Sequence, residues 1–250
     1  MERRQYKNPP IVEALCEIRF SPGQDWDLTI PGHYHEKIKA SYPGKPRNKD
    51  VFQAGLRTKE QNQDLTLSIG HATTAIQFPS SDDTRLVAIA ENMLSIHILR
   101  PYSHWEDFKA RITDALNIYI DTLKPTGITR IGIRYINQID IKKKTIMLED
   151  YFVSAPRSPE SLPVNMTGFF SRAEHIFKDK PIKLMQTFTS AEAPAENSSF
   201  ILDLDVISEF FNNPLPLDQA MNYVEDLRQR ERVAFEALIT EKTREIFDNE

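Results

Sequence analysis

The clearest hydrophobic pattern in the chain is an alternation of apolar and polar side chains over residues 128–141. Successive side chains of a β-strand point to opposite faces, so this stretch predicts a strand with one buried and one polar face. One face carries Ile131, Ile133, Tyr135, Asn137, Ile139 and Ile141, and the other carries Arg130, Gly132, Arg134, Ile136, Gln138 and Asp140. Residues 11–20 alternate in the same way and predict a second such strand.

The alternation of apolar and polar residues also occurs between residues 51 and 99. Apolar residues alternate over 65–69, 76–78, 87–89 and 94–98, and turn-forming residues separate them at 70–71, 80–83 and 91–92. Short strands joined by such turns are typical of an antiparallel meander. Proline and glycine at both ends of residues 33–41 predict a short helix there.

A longer helix is predicted over 105–123, because apolar residues recur at alternating spacings of three and four. These residues are Trp105, Phe108, Ile112, Ala115, Tyr119 and Leu123. Ser103 and Glu106 have the spacing of a capping box at its start, and Pro125 and Gly127 end it. The apolar stripe predicts that the helix lies on the sheet.

The second half of the chain opens with the central strand and continues through a proline-containing excursion after residue 141. Strands are predicted over 164–177, 182–189 and 200–206, and 190–199 is predicted to be a long, flexible hairpin loop. Residues 217–247 predict one long helix. The polar turn at 228–232 interrupts its apolar stripe, so the helix either bends there or leaves this turn exposed to solvent on all sides.

Residues 11–123 and 128–247 follow a similar order of elements. Their first strands begin 117 residues apart, at 11 and 128, and their long helices 114 apart, at 103 and 217. This near equality predicts a duplicated α+β unit of strand, helix, meander and helix. The fold predicted for residues 1–250 is therefore a single α+β domain made of two similar halves, with long helices packed on antiparallel strands.

If the two opening strands are neighbours, the acidic residues Glu13 and Glu17 can face the basic residues Arg130 and Arg134. On an open sheet face these would be weak, solvated ion pairs. Under a covering element they would form a polar cleft for an anionic or nucleotide-like ligand, with room beside Gly132. These four charged residues are the predicted candidates for ligand binding.

Other chemically interesting residues have plainer interpretations. Asp203 and Asp205 share one face of their strand and would need a third carboxylate to bind a divalent cation for a nuclease-like activity. No acidic residue is placed beside His97 by the sequence, so it is interpreted as a structural histidine. Cys16, on an apolar face, is interpreted as a buried thiol. No catalytic residue, metal site or cofactor is predicted, since the familiar nucleotide, hydrolase and zinc motifs are missing.

Composition limits the class of protein further. The chain has 250 residues, 40% of them hydrophobic, a formal net charge of -5 and a single cysteine. A core is therefore expected, nucleic acid is not expected as a partner, and a reducing compartment fits the cysteine count. With neither a signal-peptide pattern nor a long apolar run, a soluble, cytoplasmic protein without a membrane partner is expected.

Several short motifs together resemble a sporadically distributed family of uncharacterised prokaryotic proteins of about this length. They are Asn-Pro-Pro-Ile-Val-Glu-Ala at 8–14 with Glu-Ile-Arg-Phe at 17–20, Pro101-Tyr102 with Trp105 and Phe108, Arg-Tyr-Ile-Asn at 134–137, and Phe235 with Ile239-Thr240. The resemblance spans nearly the whole chain. It implies a cytoplasmic bacterial or archaeal protein, associated with genes such as those of defence or toxin and antitoxin systems, and it supplies no activity.

Two functions follow as expectations. The first is a non-enzymatic binding or interaction protein that associates with itself or a protein partner through its C-terminal helix. The second is an enzyme or sensor that binds an anionic or nucleotide-like ligand in the cleft of Glu13, Glu17, Arg130 and Arg134.

Overall fold

The computed structural model describes residues 4–51, 54–58, 65–69, 73–159, 161, 164 and 166–248. These residues form an α+β fold around a nine-stranded antiparallel sheet. The strands are β1 (Ile11–Ser21), β2 (Arg47–Val51), β3 (Ala54–Thr58), β4 (Leu65–Ile69), β5 (Thr73–Pro79), β6 (Arg85–Ala90), β7 (Met93–Leu99), β8 (Gly127–Ile141), β9 (Phe170–Ile176), β10 (Ile182–Ala191) and β11 (Ser198–Glu209). The helices are α1 (Ile30–Ile38), α2 (Trp105–Leu123), α3 (Ala220–Leu238) and α4 (Glu241–Asp248).

The two strands with the strongest alternation lie side by side at the centre of the sheet. Its strand order is β2-β5-β6-β7-β1-β8-β11-β10-β9, and β3 and β4 form a separate two-stranded sheet. The pairing of β1 with β8 is antiparallel, with Ile18 opposite Ile131 and Cys16 opposite Ile133. The predicted adjacency of these strands is therefore confirmed. The turn predicted at 70–71 lies outside the described residues.

One face of the central strands is buried and mostly apolar. Cys16 and Ile18 of β1 and Ile131 and Ile133 of β8 have no exposed surface. The predicted burial of Cys16 is confirmed, and desolvation raises the pKa of its thiol. This face supplies the core because the period of two directs every second side chain of each strand to it.

The helices contact this apolar face. Helix α2 lies against β7, α3 lies against β8 and β11, and α1 packs on α2. The ring of Tyr119 in α2 stacks on Phe20 of β1 with centroids 4.5 Å apart, and its hydroxyl donates to the carbonyl of Ala90 at 3.1 Å. The Tyr34 hydroxyl of α1 donates to the Ala115 carbonyl at 3.1 Å.

The structure corrects four local predictions. The predicted capping box is wrong, because the Nδ1 atom of His104 accepts from the Asp107 amide at 3.1 Å while Ser103 donates to the Asp107 carboxylate at 2.8 Å. Helix α1 begins earlier than predicted, at Ile30. The hairpin loop is shorter than predicted, because the ladder extends to the pair of Ala191 and Ser199. The strand predicted over 164–177 forms from Phe170 to Ile176, and position 165 is not described.

The predicted helix over 217–247 is interrupted, but not at its polar turn. Residues Leu217–Gln219 form a 3-10 turn, α3 then runs unbroken to Leu238, and Ile239 is extended with φ -111° and ψ 154°. Ile239 makes a β-bridge to Phe152, and the Thr240 amide donates to the Tyr151 carbonyl at 3.0 Å. Hydrogen bonds to the excursion after β8 therefore replace those that would continue the helix.

The loop after β1 packs tightly against the end of α2, and this contact predicts a cost for any side chain at Gly23. A Cβ there would collide with the carbonyl oxygens of Leu123 and Lys124, which are fixed backbone atoms. We expect Gly23→Ala to lower the free energy of unfolding by about 1–3 kcal/mol, measured by urea denaturation.

Gly32 in α1 provides the matched control. No atom lies within 4 Å of a Cβ built there. Since alanine is the better helix former, Gly32→Ala should stabilise the protein by up to about 1 kcal/mol. Equal effects of the two substitutions would contradict the packing described for Gly23.

Candidate functional site

The sheet face that points away from Cys16 and Ile18 carries the predicted charged residues. Glu13 and Glu17 of β1 lie beside Arg130 and Arg134 of β8, because the register places Glu17 opposite Gly132 and Leu15 opposite Arg134. All four candidates therefore meet on one face of two adjacent strands.

The arginines of this face are already engaged by carboxylates. The Nη1 atom of Arg130 donates to Glu17 Oε1 at 2.6 Å, and Arg19 Nε donates to the same oxygen at 2.8 Å. Arg134 donates to both oxygens of Asp203, at 2.8 and 2.6 Å. Bidentate pairs of this kind fix both partners in place. Glu17 therefore bonds to Arg130 as predicted, whereas Arg134 reaches Asp203 instead of an acid of β1.

The gap predicted beside Gly132 is filled by a side chain of the same strand. A Cβ added to Gly132 would lie 3.3 Å from both terminal nitrogens of Arg130. The guanidinium of Arg130 therefore covers the glycine and takes up the space that a ligand would need.

Asp203 and Asp205 also lie on this charged face. Arg134 occupies the oxygens of Asp203, and Asp205 Oδ2 lies 3.9 Å from Arg130 Nη2. Desolvation raises the pKa of Asp205 to about 6, although both arginines oppose this shift. Among the described residues, no three His, Cys, Asp or Glu side chains are grouped so that they could hold a metal ion.

His97 has an acidic partner that its position in the sequence did not reveal. Its Nδ1 lies 2.7 Å from Glu13 Oε1, and its Nε2 lies 3.0 Å from the Ser95 hydroxyl. The hydrogen bond from His97 lowers the pKa of Glu13, so Nδ1–H donates to an ionised carboxylate, and in the neutral tautomer Nε2 accepts from Ser95. This is the order of contacts that activates a serine nucleophile. Ser95 and His97 are only 5% and 6% exposed, so the serine lacks the access that a nucleophile requires.

A cavity of about 410 Å³ lies on the other, helix-covered face of the sheet. Its walls come from the N-terminal segment at 4–6 and 9–11, the start of α2 at 102–106, and α3, where Arg228, Glu231 and Arg232 line it. Tyr135 and Asn137 of β8 also line it. This volume is within the range of small-molecule sites in proteins.

The pair of Arg228 and Glu231 is the most unusual feature of the cavity. The guanidinium carbon of Arg228 lies 4.6 Å from the ring centroid of Tyr135 and 5.7 Å from that of Trp105. Its Nη1 donates to Glu231 Oε2 at 2.6 Å, while its Nε is buried without a hydrogen-bond partner in the described part of the chain. The cavity thus contains an arginine held by aromatic faces and a single carboxylate.

Glu231 is only 3% exposed. Desolvation raises the pKa of its carboxyl to about 7, while Arg228 and Arg232 act in the opposite direction and Glu236 in the same direction. Glu231 therefore changes its charge near neutral pH, and Arg228 loses its ionised partner when it does.

Hydrogen bonds hold the polar groups of β8 that border the cavity. The hydroxyl oxygens of Tyr102 and Tyr135 are 3.3 Å apart. The amide of Asn137 donates to the Leu202 carbonyl at 3.1 Å and to the Tyr135 carbonyl at 3.4 Å. Two rings and one amide therefore form a fixed wall opposite α3.

A second cavity, of about 560 Å³, adjoins the first. The two share Arg4, Trp105, Arg228, Arg232 and Glu236, and the second also reaches the outward residues Val233 and Arg244. The N-terminal segment lies over both. It is tied down by Arg4, which donates to Glu241 at 2.6 Å and to Asp248 at 2.8 Å, and by the Tyr6 hydroxyl, which donates to Glu236 at 2.8 Å.

This cavity was not predicted, because the polar turn at 228–232 was expected to bend the helix or to be exposed to solvent on all sides. Helix α3 is continuous there, and the second alternative is wrong, since Glu231 is buried. The spacing of three between Arg228 and Glu231 suits an ion pair on one helix face. The aromatic faces that accept the arginine come from distant parts of the chain, and the sequence gives no sign of that contact.

Comparison with known proteins assigns no family. A scan against protein-family models finds no match, and no curated protein matches the chain. Among the described residues, no helix has both the length and the apolar character needed to cross a bilayer.

The raised pKa of Glu231 predicts a pH-dependent stability. Its ordinary value is 4.5 and its folded value about 7, so between these limits unfolding releases a proton. The free energy of unfolding should therefore fall as pH rises through this window, with a contribution from Glu231 of about 3 kcal/mol. Urea denaturation at several pH values should show a smaller fall for Glu231→Gln than for the wild type.

Asp205→Asn is the control for this measurement. The pKa of Asp205 is raised from 3.8 to about 6. The substitution should therefore reduce the pH dependence of the free energy of unfolding only in the more acidic part of the profile. Parallel profiles for Glu231→Gln and the wild type would show that Glu231 titrates normally.

Proposed function

We propose that this protein is a non-enzymatic binding module whose ligand occupies the cavity between the N-terminal segment and α3. The observation that carries the proposal is Arg228, an arginine in the cavity lining that is hydrogen-bonded to Glu231 and lies against the rings of Tyr135 and Trp105. When Glu231 is protonated, this guanidinium has no ionised partner in a poorly solvated position, so a ligand that supplies an anionic group is stabilised there.

The chemistry of the walls defines the ligand class as a small planar molecule with an anionic group, such as an aromatic carboxylate or a nucleotide. The half-buried rings of Tyr6 and Tyr102 offer apolar surface for stacking. Arg228 supplies a planar donor suited to a carboxylate or phosphate. Protonation of Glu231 releases this donor, so we propose that an anion binds together with one proton.

The charged sheet face is the second candidate for an anionic ligand. We retain Glu13, Glu17, Arg130 and Arg134 as proposed binding residues there, because they converge on one face. It is the weaker candidate, since Arg130 and Arg134 already bind carboxylates and Arg130 fills the space above Gly132.

Internal duplication is our proposal for the origin of the fold. It is supported by the strand order, in which β1 and β8 are central and each is flanked by the last strand of its own half, β7 or β11. The helix that follows each of those flanking strands contacts it, α2 on β7 and α3 on β11.

The prokaryotic family, the cytoplasmic location and the link to defence systems also stay proposals, and they rest on the sequence resemblance. Several residues that carry this resemblance line the cavity, among them Pro9, Pro10, Tyr102, Trp105, Tyr135 and Asn137.

For a protein partner at the C-terminal helices, we propose the outward face of α3. It is supported by Val233, which is 50% exposed beside the second cavity.

Ligand binding is tested with matched anionic and neutral probes. Benzoate and adenosine monophosphate should raise the melting temperature, whereas benzamide and adenosine should not, because only the anions pair with Arg228. Calorimetric titration should show an affinity for the active anion about tenfold higher at pH 6 than at pH 8, since Glu231 is mostly protonated at the lower pH.

Two substitutions test the role of the cavity arginine. Arg228→Lys keeps the charge beside Glu231 but loses the planar donor, and it should abolish the response to the anion. Arg111→Lys changes an arginine that pairs with Asp107 at 3.1 Å outside the cavity, and it should respond like the wild type. If neither anion produces a shift, or if both variants respond equally, the cavity is not the binding site.

A further inference from the structure

Strand β9 ends the nine-stranded sheet, and its side chains follow a self-complementary order. Residues 170–176 read Phe-Ser-Arg-Ala-Glu-His-Ile. In the strand order of the described residues, no strand lies beyond β9. Such an edge offers free backbone donors and acceptors to another strand.

The pairing with β10 shows which backbone groups face outward. The Phe177 amide donates to the Ile182 carbonyl at 2.9 Å, and the Ser190 amide donates to the Phe169 carbonyl at 3.2 Å. Because bonding alternates along an antiparallel pair, the odd-numbered residues of β9 bond to β10. The backbone groups of Phe170, Arg172, Glu174 and Ile176 therefore point away from the sheet.

These same four residues share the charged face of the sheet. Phe170 and Ile176, at the two ends of β9, are 71% and 69% exposed. Between them, the side chains of Arg172 and Glu174 are 41% and 60% exposed and lie 3.4 Å apart. Two large apolar side chains at an open edge are unfavourable in water, and two opposite charges between them set a direction for pairing.

We propose that β9 binds the β9 strand of a second copy of this chain, in antiparallel orientation about a two-fold axis at Ala173. In this register Arg172 lies opposite Glu174 of the other copy and Phe170 lies opposite its Ile176. Each of these contacts occurs twice by symmetry. On the other face, Ser171 lies opposite His175 and the small Ala173 lies on the axis.

The register agrees with the backbone as well as with the side chains. Arg172 and Glu174 both direct their backbone groups outward, so they can exchange two hydrogen bonds across the interface. A shift by one residue would place outward-bonding residues opposite inward-bonding ones, and it would lose the opposite-charge pairs. The two nine-stranded sheets then form one continuous sheet.

Charge reversal gives a specific test. Multi-angle light scattering and sedimentation velocity should find the wild type at twice the monomer mass. Arg172→Glu and Glu174→Arg should each raise the dimer dissociation constant roughly tenfold or more, because each places like charges opposite one another twice. The double variant Arg172→Glu/Glu174→Arg should dimerise again, and a mixture of the two single variants should form a heterodimer.

Two controls locate the interface. Arg47→Glu reverses a charge on β2 at the opposite edge, and Val233→Glu places a charge on the outward face of α3. Both should leave the dimer intact. A monomeric wild type, failure of the charge swap to restore the dimer in a folded variant, or loss of the dimer in Val233→Glu would overturn the proposal.

Discussion

The buried pair of Arg228 and Glu231 is the interaction on which the packing of α3 and the shape of the cavity depend. An ionised Glu231 alone would be strongly unfavourable in this position, since little water reaches it. Together the two charges neutralise each other, and Tyr135 and Trp105 cover the guanidinium with aromatic faces. This arrangement lets α3 bring two charged side chains against β8 while its backbone stays helical as far as Leu238. It also places Arg228 in the lining of a cavity large enough for a small molecule.

The charged face of the sheet and the cavity on its other face differ in how fully their arginines are paired with carboxylates. On the charged face, Arg130 and Arg134 bind the acids of neighbouring strands, and the one gap in that face is filled by Arg130. Ion pairs of this kind connect β1, β8 and β11 across the sheet. On the helix-covered face, Arg228 has one carboxylate, and that carboxylate gains a proton near neutral pH. This difference, rather than the number of charges, is our reason for proposing the cavity as the binding site.

Periodicity was sufficient to predict the central strands, the face each one buries and helix α2, because these depend on residues close in sequence. Adjacency of β1 and β8 was also predictable, and with it the contact of Glu17 with Arg130. Contacts between distant elements were not predictable. Neither the hydrogen bond from His97 to Glu13 nor the cover that Trp105 and Tyr135 give to Arg228 follows from local pattern. The break at Ile239 was missed for the same reason, since its bridge partner Phe152 lies in the irregular segment.

The central claim is that Glu231 is a buried acid that changes its charge near neutral pH and thereby controls Arg228. Its most direct test is a carbon-13 NMR titration of the glutamate carboxyl groups, with the Glu231 resonance assigned by its absence in Glu231→Gln. The account predicts a midpoint at about 7 for this resonance. A midpoint at the ordinary value of 4.5 would show that water solvates the carboxyl group, and it would contradict the account.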